Sequence, residues 1–320
     1  LDMEFYREFL ALKERTDKRN VDTLSHWDIA FENVCFTYPG TDREILKNVT
    51  FRIKAGERVA FVGENGAGKT TLMRILTTLL EPTEGSVTIC GQKLCAANRE
   101  EIKKLIGYLP QELGLYPSLT VRETLDYLGG LCGLKNRERK ERIDMLLDQT
   151  HMLEHQNKKN RQLSGGMKRR VGLMQAMLTD PKVLIVDEPT TGLDPEERIR
   201  IRNLLSDFSR DRIVLFSTHV VEDLSATCFK LGVLKRGKVI YQGTLADMMK
   251  AADGHVFQKV VKDEKEMEAL RNSYSIVNSV YGEEGCRVKF ISKDNPDITA
   301  IRTEISLEDA YIYLNSISDS

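Results

Sequence analysis

The stretch Gly63-Glu64-Asn65-Gly66-Ala67-Gly68-Lys69-Thr70 decides how this chain is read. It has the form G-x-x-x-x-G-K-[ST], a loop that cradles phosphate groups. Ahead of it, Arg58-Val59-Ala60-Phe61-Val62 is apolar and partly β-branched, as a buried parallel strand is. Behind it, Thr71-Leu72-Met73-Arg74-Ile75-Leu76 sets apolar side chains at helical spacing. Strand, glycine-rich turn and helix in that order are the context the motif needs. The glycines at 63, 66 and 68 let successive N–H groups curl inward on an anion. The helix that starts near Lys69 adds the positive end of its dipole. Lys69 is placed to reach the β- and γ-phosphates of a nucleotide, and Thr70 to put its hydroxyl on Mg²⁺.

Further along, two more strands end in polar groups. Lys182-Val183-Leu184-Ile185-Val186-Asp187-Glu188-Pro189 is an apolar run that delivers carboxylates to a strand's C-terminal edge. In open α/β sheets that edge is where ligands bind. Asp187 is placed to hold the water shell of Mg²⁺, and Glu188 to act as general base toward a water molecule. Two adjacent buried acids without a role would be costly. Arg212-Ile213-Val214-Leu215-Phe216-Ser217-Thr218-His219 brings an imidazole to the same edge. Between the two acids and the phosphate loop lies Leu163-Ser164-Gly165-Gly166-Met167, just before a helical run from Lys168 to Leu178. It reads as a second helix N-terminus with free donors and a hydroxyl, or as an ordinary serine cap. Tyr38 precedes the turn Pro39-Gly40 on an expected exposed corner, where its ring could stack on a base.

Composition narrows the partners. The 320 residues suffice for one large or two ordinary domains. With 47 basic and 48 acidic residues the net charge is −1, so nothing draws the whole chain to nucleic acid or to anionic lipid. No nucleic-acid partner is expected. The basic stretch Asn157-Lys158-Lys159-Asn160-Arg161 carries no interleaved aromatic residue and reads as a solvated helix end. No apolar run approaches the ~18–20 residues that span a bilayer, and no signal-peptide pattern opens the chain. The six cysteines include no C-x-x-C pair, which points to reduced thiols. The chain begins at Leu1 rather than Met, which leaves open a fragment or a processed product.

In order along the chain, residues 2 to about 20 read as a charged amphipathic helix. Residues 28–62 are β-rich, and 99–105 are helical. Ile106-Gly107-Tyr108-Leu109 is a strand stopped by Pro110, with Gln111 beyond it. Residues 120–175 are mostly helical, interrupted by Gly129-Gly130 and by the basic stretch. Residues 196–209 form a helix and 231–243 a hairpin. From about 246 the pattern becomes strand, helix, strand, strand, strand and a final helix at 306–315, opened by a capping box at Ser306 and Asp309.

The phosphate loop, Gln111, Leu163-Ser164-Gly165-Gly166-Met167, Asp187-Glu188, Asp194 and His219 stand in the order and spacing of an ABC-type ATPase. The resemblance covers about residues 29–245. Its discriminating element is the LSGG run, which most other phosphate-loop ATPases lack. Many members carry Gln where this chain has Met167.

The resemblance implies a fold and a set of roles. The fold is α/β: a P-loop NTPase core of the ABC-ATPase type with an antiparallel β subdomain and a helical subdomain, plus a small α+β C-terminal domain. Residues 1–28 would be an N-terminal helix or linker, 29–245 the ATPase domain and 246–320 the accessory domain. Tyr38 resembles the adenine-stacking aromatic. Gly63, Glu64, Asn65, Gly66, Ala67, Gly68, Lys69 and Thr70, with Thr71 after them, resemble the nucleotide-binding loop. Gln111 is similar to the residue that touches Mg²⁺ and the attacking water. Ser164, Gly165 and Gly166 are similar to the signature that binds the γ-phosphate held by the opposite subunit. Asp194 resembles the residue that crosses the dimer interface, Glu188 the catalytic base and His219 the switch histidine.

ATP and Mg²⁺ are thus implied. So are a homodimer or heterodimer of ATPase domains, an integral membrane permease as partner, and a peripheral place on the cytoplasmic side of the cell membrane. From about residue 72 onward the chain looks like stand-alone ATP-binding subunits of bacterial ABC-2-type exporters. Residues 4–53 look more like the linker and first strands of exporters that fuse membrane and ATPase domains, which would make the chain mosaic or a fragment of such a protein. Non-transport relatives, of the repair or ribosome-associated type, carry long coiled coils or two heads. Here the path from phosphate loop to signature is short and holds one set of motifs.

Overall fold

The computed structural model describes residues 28–318 except 220, 222–223, 225–227, 229, 283–284, 294–295 and 297–299. The expected N-terminal helix at 2–20 lies outside these residues.

The centre is a six-stranded sheet in the order β10-β9-β3-β8-β7-β6. Five of its strands run parallel: β3 (Arg58–Val62), β6 (Ile106–Leu109), β7 (Val183–Asp187), β8 (Ile213–Thr218) and β9 (Lys230–Lys235). β10 (Lys238–Thr244) returns antiparallel along β9. The strands read as nearly unbroken apolar runs because both faces are covered. Successive residues serve opposite faces. Val59, Phe61, Val183, Ile185, Ile213 and Leu215 enter one core, whereas Ala60, Val62, Leu184, Val186, Val214 and Phe216 enter the other.

The first core is closed by an antiparallel sheet, β2-β1-β4-β5, whose long strands are β1 (Asp28–Thr37), β2 (Glu44–Lys54) and β4 (Glu84–Ile89), with β5 (Gln92–Lys93) at the edge. Phe31 stacks on Phe51 at 4.4 Å between ring centres, and Phe51 meets Phe61 at 5.0 Å. Those rings fasten the two sheets. The helices α1 (Lys69–Leu76) and α2 (Arg99–Leu105) complete this side.

The second core is covered by α3 (Val121–Leu131), α4 (Asn136–Gln149), α5 (Gly165–Met177) and α6 (Pro195–Phe208). Gly129 and Gly130 do not interrupt a helix, contrary to the expectation; both lie inside α3. Their smallness lets α4 cross closely, since a Cβ on Gly129 would stand 2.7 Å from Arg139 Cδ. The stretch 157–161 is solvated as expected except at Asn160, but it does not end a helix. Asn160 is 1% exposed and starts a short 3-10 turn. Its Nδ2 donates to Thr124 Oγ1 at 2.7 Å and to Tyr116 O at 2.9 Å. The Lys158 carbonyl accepts from Val121 N–H at 3.1 Å, so this segment satisfies the start of α3.

Residues beyond 244 add α7 (Leu245–Ala251), α8 (Glu264–Ser273), α9 (Leu307–Ile317) and a separate antiparallel sheet. That sheet runs β12-β13-β11-β14, with β11 (Val256–Val261), β12 (Ser275–Gly282), β13 (Gly285–Ile291) and β14 (Ile301–Arg302). Ser306 and Asp309 form the expected capping box on α9. Phe257, Val288 and Phe290 build a small core of their own, whereas Met248, Ala252, Ala310 and Leu314 join the second core of the central sheet.

The bend between β9 and β10 sits where these parts meet. Gly237 (φ 84°) donates its N–H to Ala67 O at 3.0 Å and accepts from Lys47 N–H at 2.8 Å. A Cβ there would lie 2.3 Å from Ile45 O. Lys235 Nζ donates to Asn315 O at 2.5 Å and to Ser318 Oγ at 3.0 Å.

Candidate active site

Strand register brings the predicted residues to one edge. Val62 lies opposite Thr218, Asp187 opposite Ser217 and Leu109 opposite Val186. The phosphate loop, His219, the two acids and Gln111 therefore leave the sheet side by side. They surround a cavity of about 450 Å³, lined among others by Tyr38, Lys69, Thr70, Thr71, Asp187 and Glu188. Glu64, Asn65, Gly66, Gly68, Gln111 and His219 line it as well. A larger cavity of about 860 Å³ adjoins it through Glu64, Asn65 and Gly66 and reaches Asn315 and Ser316 of α9. It lacks Lys69, Asp187 and Glu188, which line the smaller one.

The three loop glycines act in different ways. Gly66 (φ 81°) and Gly68 (φ 105°) take left-handed backbone that L side chains avoid. Gly63 answers a close approach, since a Cβ there would stand 2.4 Å from Leu234 O. Gly68 caps α1 with no side-chain hydrogen bond, which leaves the helix's first donors for a ligand. Ala67 is 3% exposed and packs into the first core rather than lining this cavity. Lys69 is buried, and its Nζ donates to the loop's own carbonyls at Gly63 and, at 3.0 Å, Glu64. Burial pushes its ammonium below the ordinary lysine range, and Glu188, Asp187 and Glu64 oppose that shift. The cation is thus held by two loop carbonyls, with the acids around the cavity favouring its charge.

Glu188 sits at φ 47°, a left-handed conformation that costs about 1–2 kcal/mol for such a residue. Its N–H is gripped by Ser217 O at 3.2 Å and Ser217 Oγ at 3.1 Å, and that hydroxyl donates in turn to Asp187 Oδ1. The Glu188 carboxylate takes three side-chain contacts. Gln111 Nε2 donates to Oε2 at 3.1 Å, Thr191 Oγ1 donates to Oε2 at 3.0 Å, and His219 Nδ1 lies 2.9 Å from Oε1. A carboxylate accepts, so Nδ1 carries the hydrogen and Nε2 is left as the ring's second atom. His219 is half-exposed, whereas Glu188 is 9% exposed.

Tyr38 is half-buried rather than exposed. Its ring meets Phe36 edge-on at 4.9 Å, and its hydroxyl lies 3.3 Å from Thr71 Oγ1 and accepts from Arg74 Nη1 at 3.4 Å. The ring is thereby fixed at the cavity wall.

Ser164, Gly165, Gly166 and Asp194 do not line the cavity. Ser164 is the N-cap of α5 and accepts from Met167 N–H at 3.2 Å. Asp194 is the N-cap of α6 and accepts from Glu197 N–H at 2.9 Å. Glu197 lies directly under the signature, since a Cβ on Gly166 would stand 2.7 Å from its carboxylate. Arg170 pairs with that carboxylate at 3.3 Å. Signature and Asp194 loop thus form one block, separate from the cavity.

Residues that the motifs do not mark also contribute. Arg43, Ile45 and Thr191 line the cavity. Ser217 holds both acids, and its place at the polar end of an apolar strand was the only signal for it. Arg169, five positions past the signature serine, is 6% exposed and bonds only to main-chain carbonyls.

Residues 46–191 match the ABC transporter family. The chain is 37% identical over 278 residues to an uncharacterized ABC transporter ATP-binding protein, YxlF, of Bacillus subtilis, covering 87% of this chain and 90% of that protein. It is 34% identical over 274 residues to the Nod factor export ATP-binding protein I of Rhizobium etli, covering 84% of each. Among solved structures, an ATP-binding subunit of an ABC transporter superposes with a TM-score of 0.63 at 30% identity, covering 70% of this chain and 92% of that one. The dimeric cassette MJ0796, in a post-hydrolysis state bound to ADP and Pi, superposes with a TM-score of 0.61 at 30% identity, covering 68% and 98%. On sequence and fold alike, this chain belongs to the ATP-binding proteins of ABC transporters, ATPases whose turnover is coupled to transport.

Proposed function

We propose that this chain is the ATP-hydrolysing subunit of an ABC-2-type exporter and works as a pair of ATPase domains under a membrane permease. The observation that carries this reading is the ring of three groups on Glu188, opposite a phosphate loop on the same sheet edge. Lys69 and the N-terminus of α1 hold the triphosphate, and Tyr38 supports the base. Glu188 accepts the proton of the attacking water. Gln111, Thr191 and His219 hold its carboxylate in place, which is what an oriented base requires.

The donor set suits Mg²⁺. Thr70 offers a hydroxyl, Gln111 an amide oxygen and Asp187 a carboxylate, while no group of three or more His, Cys, Asp or Glu among the described residues could hold a metal. Mg²⁺ is commonly bound by one or two protein oxygens together with substrate phosphates. When bound it would neutralise charge on the phosphates.

The signature block explains the pair. Ser164 and Gly166 stand outside the chain's own cavity, with the α5 N-terminus free to meet a second nucleotide. In a two-fold dimer each subunit then completes the other's site. The dimeric cassette that this chain resembles supports that arrangement, and the CbiO1 cassette of Clostridium perfringens, part of the ABC transporter complex CbiONQ, supports a place in a larger transporter assembly. The likeness to a Nod factor export protein supports export; on this reading the pair lies on the cytoplasmic face of the membrane. We assign residues 29–245 to the cassette and 246–320 to an accessory module, with 1–28 as a linker. The separate sheet β11–β14 and its small core support that division.

The test uses the full chain with Glu188→Gln. Light scattering should show single copies without nucleotide and dimers with ATP and Mg²⁺, while hydrolysis falls ~10²–10⁴-fold. Wild-type turnover in the variant, or single copies under saturating nucleotide, would overturn the reading.

A further inference from the structure

Arg169 projects from α5 into the space beneath Gln111 and Glu188. Its Nη1 donates to Pro110 O and Gln111 O, each at 2.9 Å. Its Nη2 donates to Asp187 O and, at 2.7 Å, to Glu188 O. Its Nε donates to Pro189 O at 3.2 Å. A guanidinium has five N–H donors in a fixed planar fork, and here each has its own carbonyl. Two of those carbonyls belong to the segment after β6, one to the last residue of β7 and two to the turn that follows it. No lysine could copy this, having three donors on one atom. Burial drives its pKa down to about 10, against the pull of Asp187, so the group stays charged at neutral pH.

Its position on the helix gives the contact its meaning. Ser164 caps α5, and Arg169 follows five residues later on the same rigid rod, roughly 7–8 Å along the axis at 1.5 Å per residue. We propose that Arg169 is a positioning residue that carries movement of the signature end of α5 to the Gln111 and Glu188 segments of the same chain. This rests on the dimer reading above. Phosphate seated at Ser164 belongs to one nucleotide, whereas Glu188 serves the other. A shift of α5 moves the guanidinium, and five carbonyls move with it. The side chain of Glu188 then changes its aim without contacting the partner's nucleotide. Packed interfaces transmit such shifts because they do not deform smoothly.

The test compares Arg169→Met and Arg169→Lys in the full chain, with two readouts. The first is amide hydrogen exchange without nucleotide, which does not depend on turnover or pairing. Exchange in segments 110–112 and 187–191 should rise about 10-fold or more in the Met variant and less in the Lys variant, with residues 63–76 unchanged. The second is the split between KM and kcat. ATP binding and KM should stay within about 2-fold, while kcat falls about 10-fold or more in the Met variant and by an intermediate factor in the Lys variant. Unchanged exchange in both segments would overturn the proposal. So would loss of protection across the whole chain together with loss of ATP affinity, since that marks a merely structural role. If the Met variant fails to fold, a Lys variant with native exchange and native kcat overturns it equally. A wild-type protein that binds ATP but neither pairs nor hydrolyses would sink the functional reading instead, and the exchange result would still decide the role of Arg169 at these segments.

Discussion

Two helix N-termini in this molecule are suited to phosphate, and they are built differently. α1 begins at a left-handed glycine, has no side-chain cap and carries a buried lysine as its first residue. α5 begins at a serine whose hydroxyl closes its own helix, with glycines as the first two residues. The first lies in a cavity with two acids; the second lies outside it, backed by Glu197 and Arg170. The contrast teaches that helix dipoles alone do not make a nucleotide site. One end has the cation, the loop donors and two carboxylates within a single chain. The other presents a serine hydroxyl and two glycines with no such groups around it in the cavity.

Several substitutions would break or sharpen that contrast. Ser164→Arg places a long cation at the exposed end and should leave nucleotide affinity of the single chain within about 2-fold, while turnover drops ~10²-fold or more. Calorimetry beside a phosphate-release assay reads both; surviving turnover would remove the need for a second subunit. Lys69→Ala acts at the other end. It should weaken nucleotide binding about 100-fold, near 3 kcal/mol for a lost charge-assisted contact, and calorimetry showing native affinity would count against the loop.

Thr191→Val removes one of the three supports of Glu188 and should lower kcat about 3–10-fold with KM little changed. An unaltered kcat would mean that Gln111 and His219 suffice. Ser164→Ala has a small expected effect on the fold, about 1 kcal/mol for a lost N-cap. Thermal unfolding should read it, while Thr70→Ala, on a helix whose cap is glycine, should leave the melting temperature nearly unchanged.

Much of this was legible in the sequence because parallel strands buried on both faces announce themselves as apolar runs with polar ends. Val183–Asp187 and Ile213–Thr218 are of that kind, and their register then places Glu188 and His219 together. What stayed hidden depends on close approach between distant segments. Gly129 and Gly130 look like a break, yet they are a notch for Arg139 inside α3. Asn160 reads as part of a solvated basic run, yet it is buried because its amide closes the turn beside α3. Arg169 is counted as polar by any periodicity, and nothing in spacing reveals that five carbonyls converge on it. Thr191 meets Glu188 three residues away because the backbone turns left-handed at the acid, a conformation that residue type does not foretell.

The peptide at Gly237 holds Ala67 and Lys47 at once, and its neighbour Lys235 holds the end of α9. That bend works as a shared rivet between the nucleotide pocket, the outer sheet and the last helix. The surroundings of the pocket are therefore partly fixed by sequence far downstream. The tail is thereby tethered to the phosphate loop through a single bend.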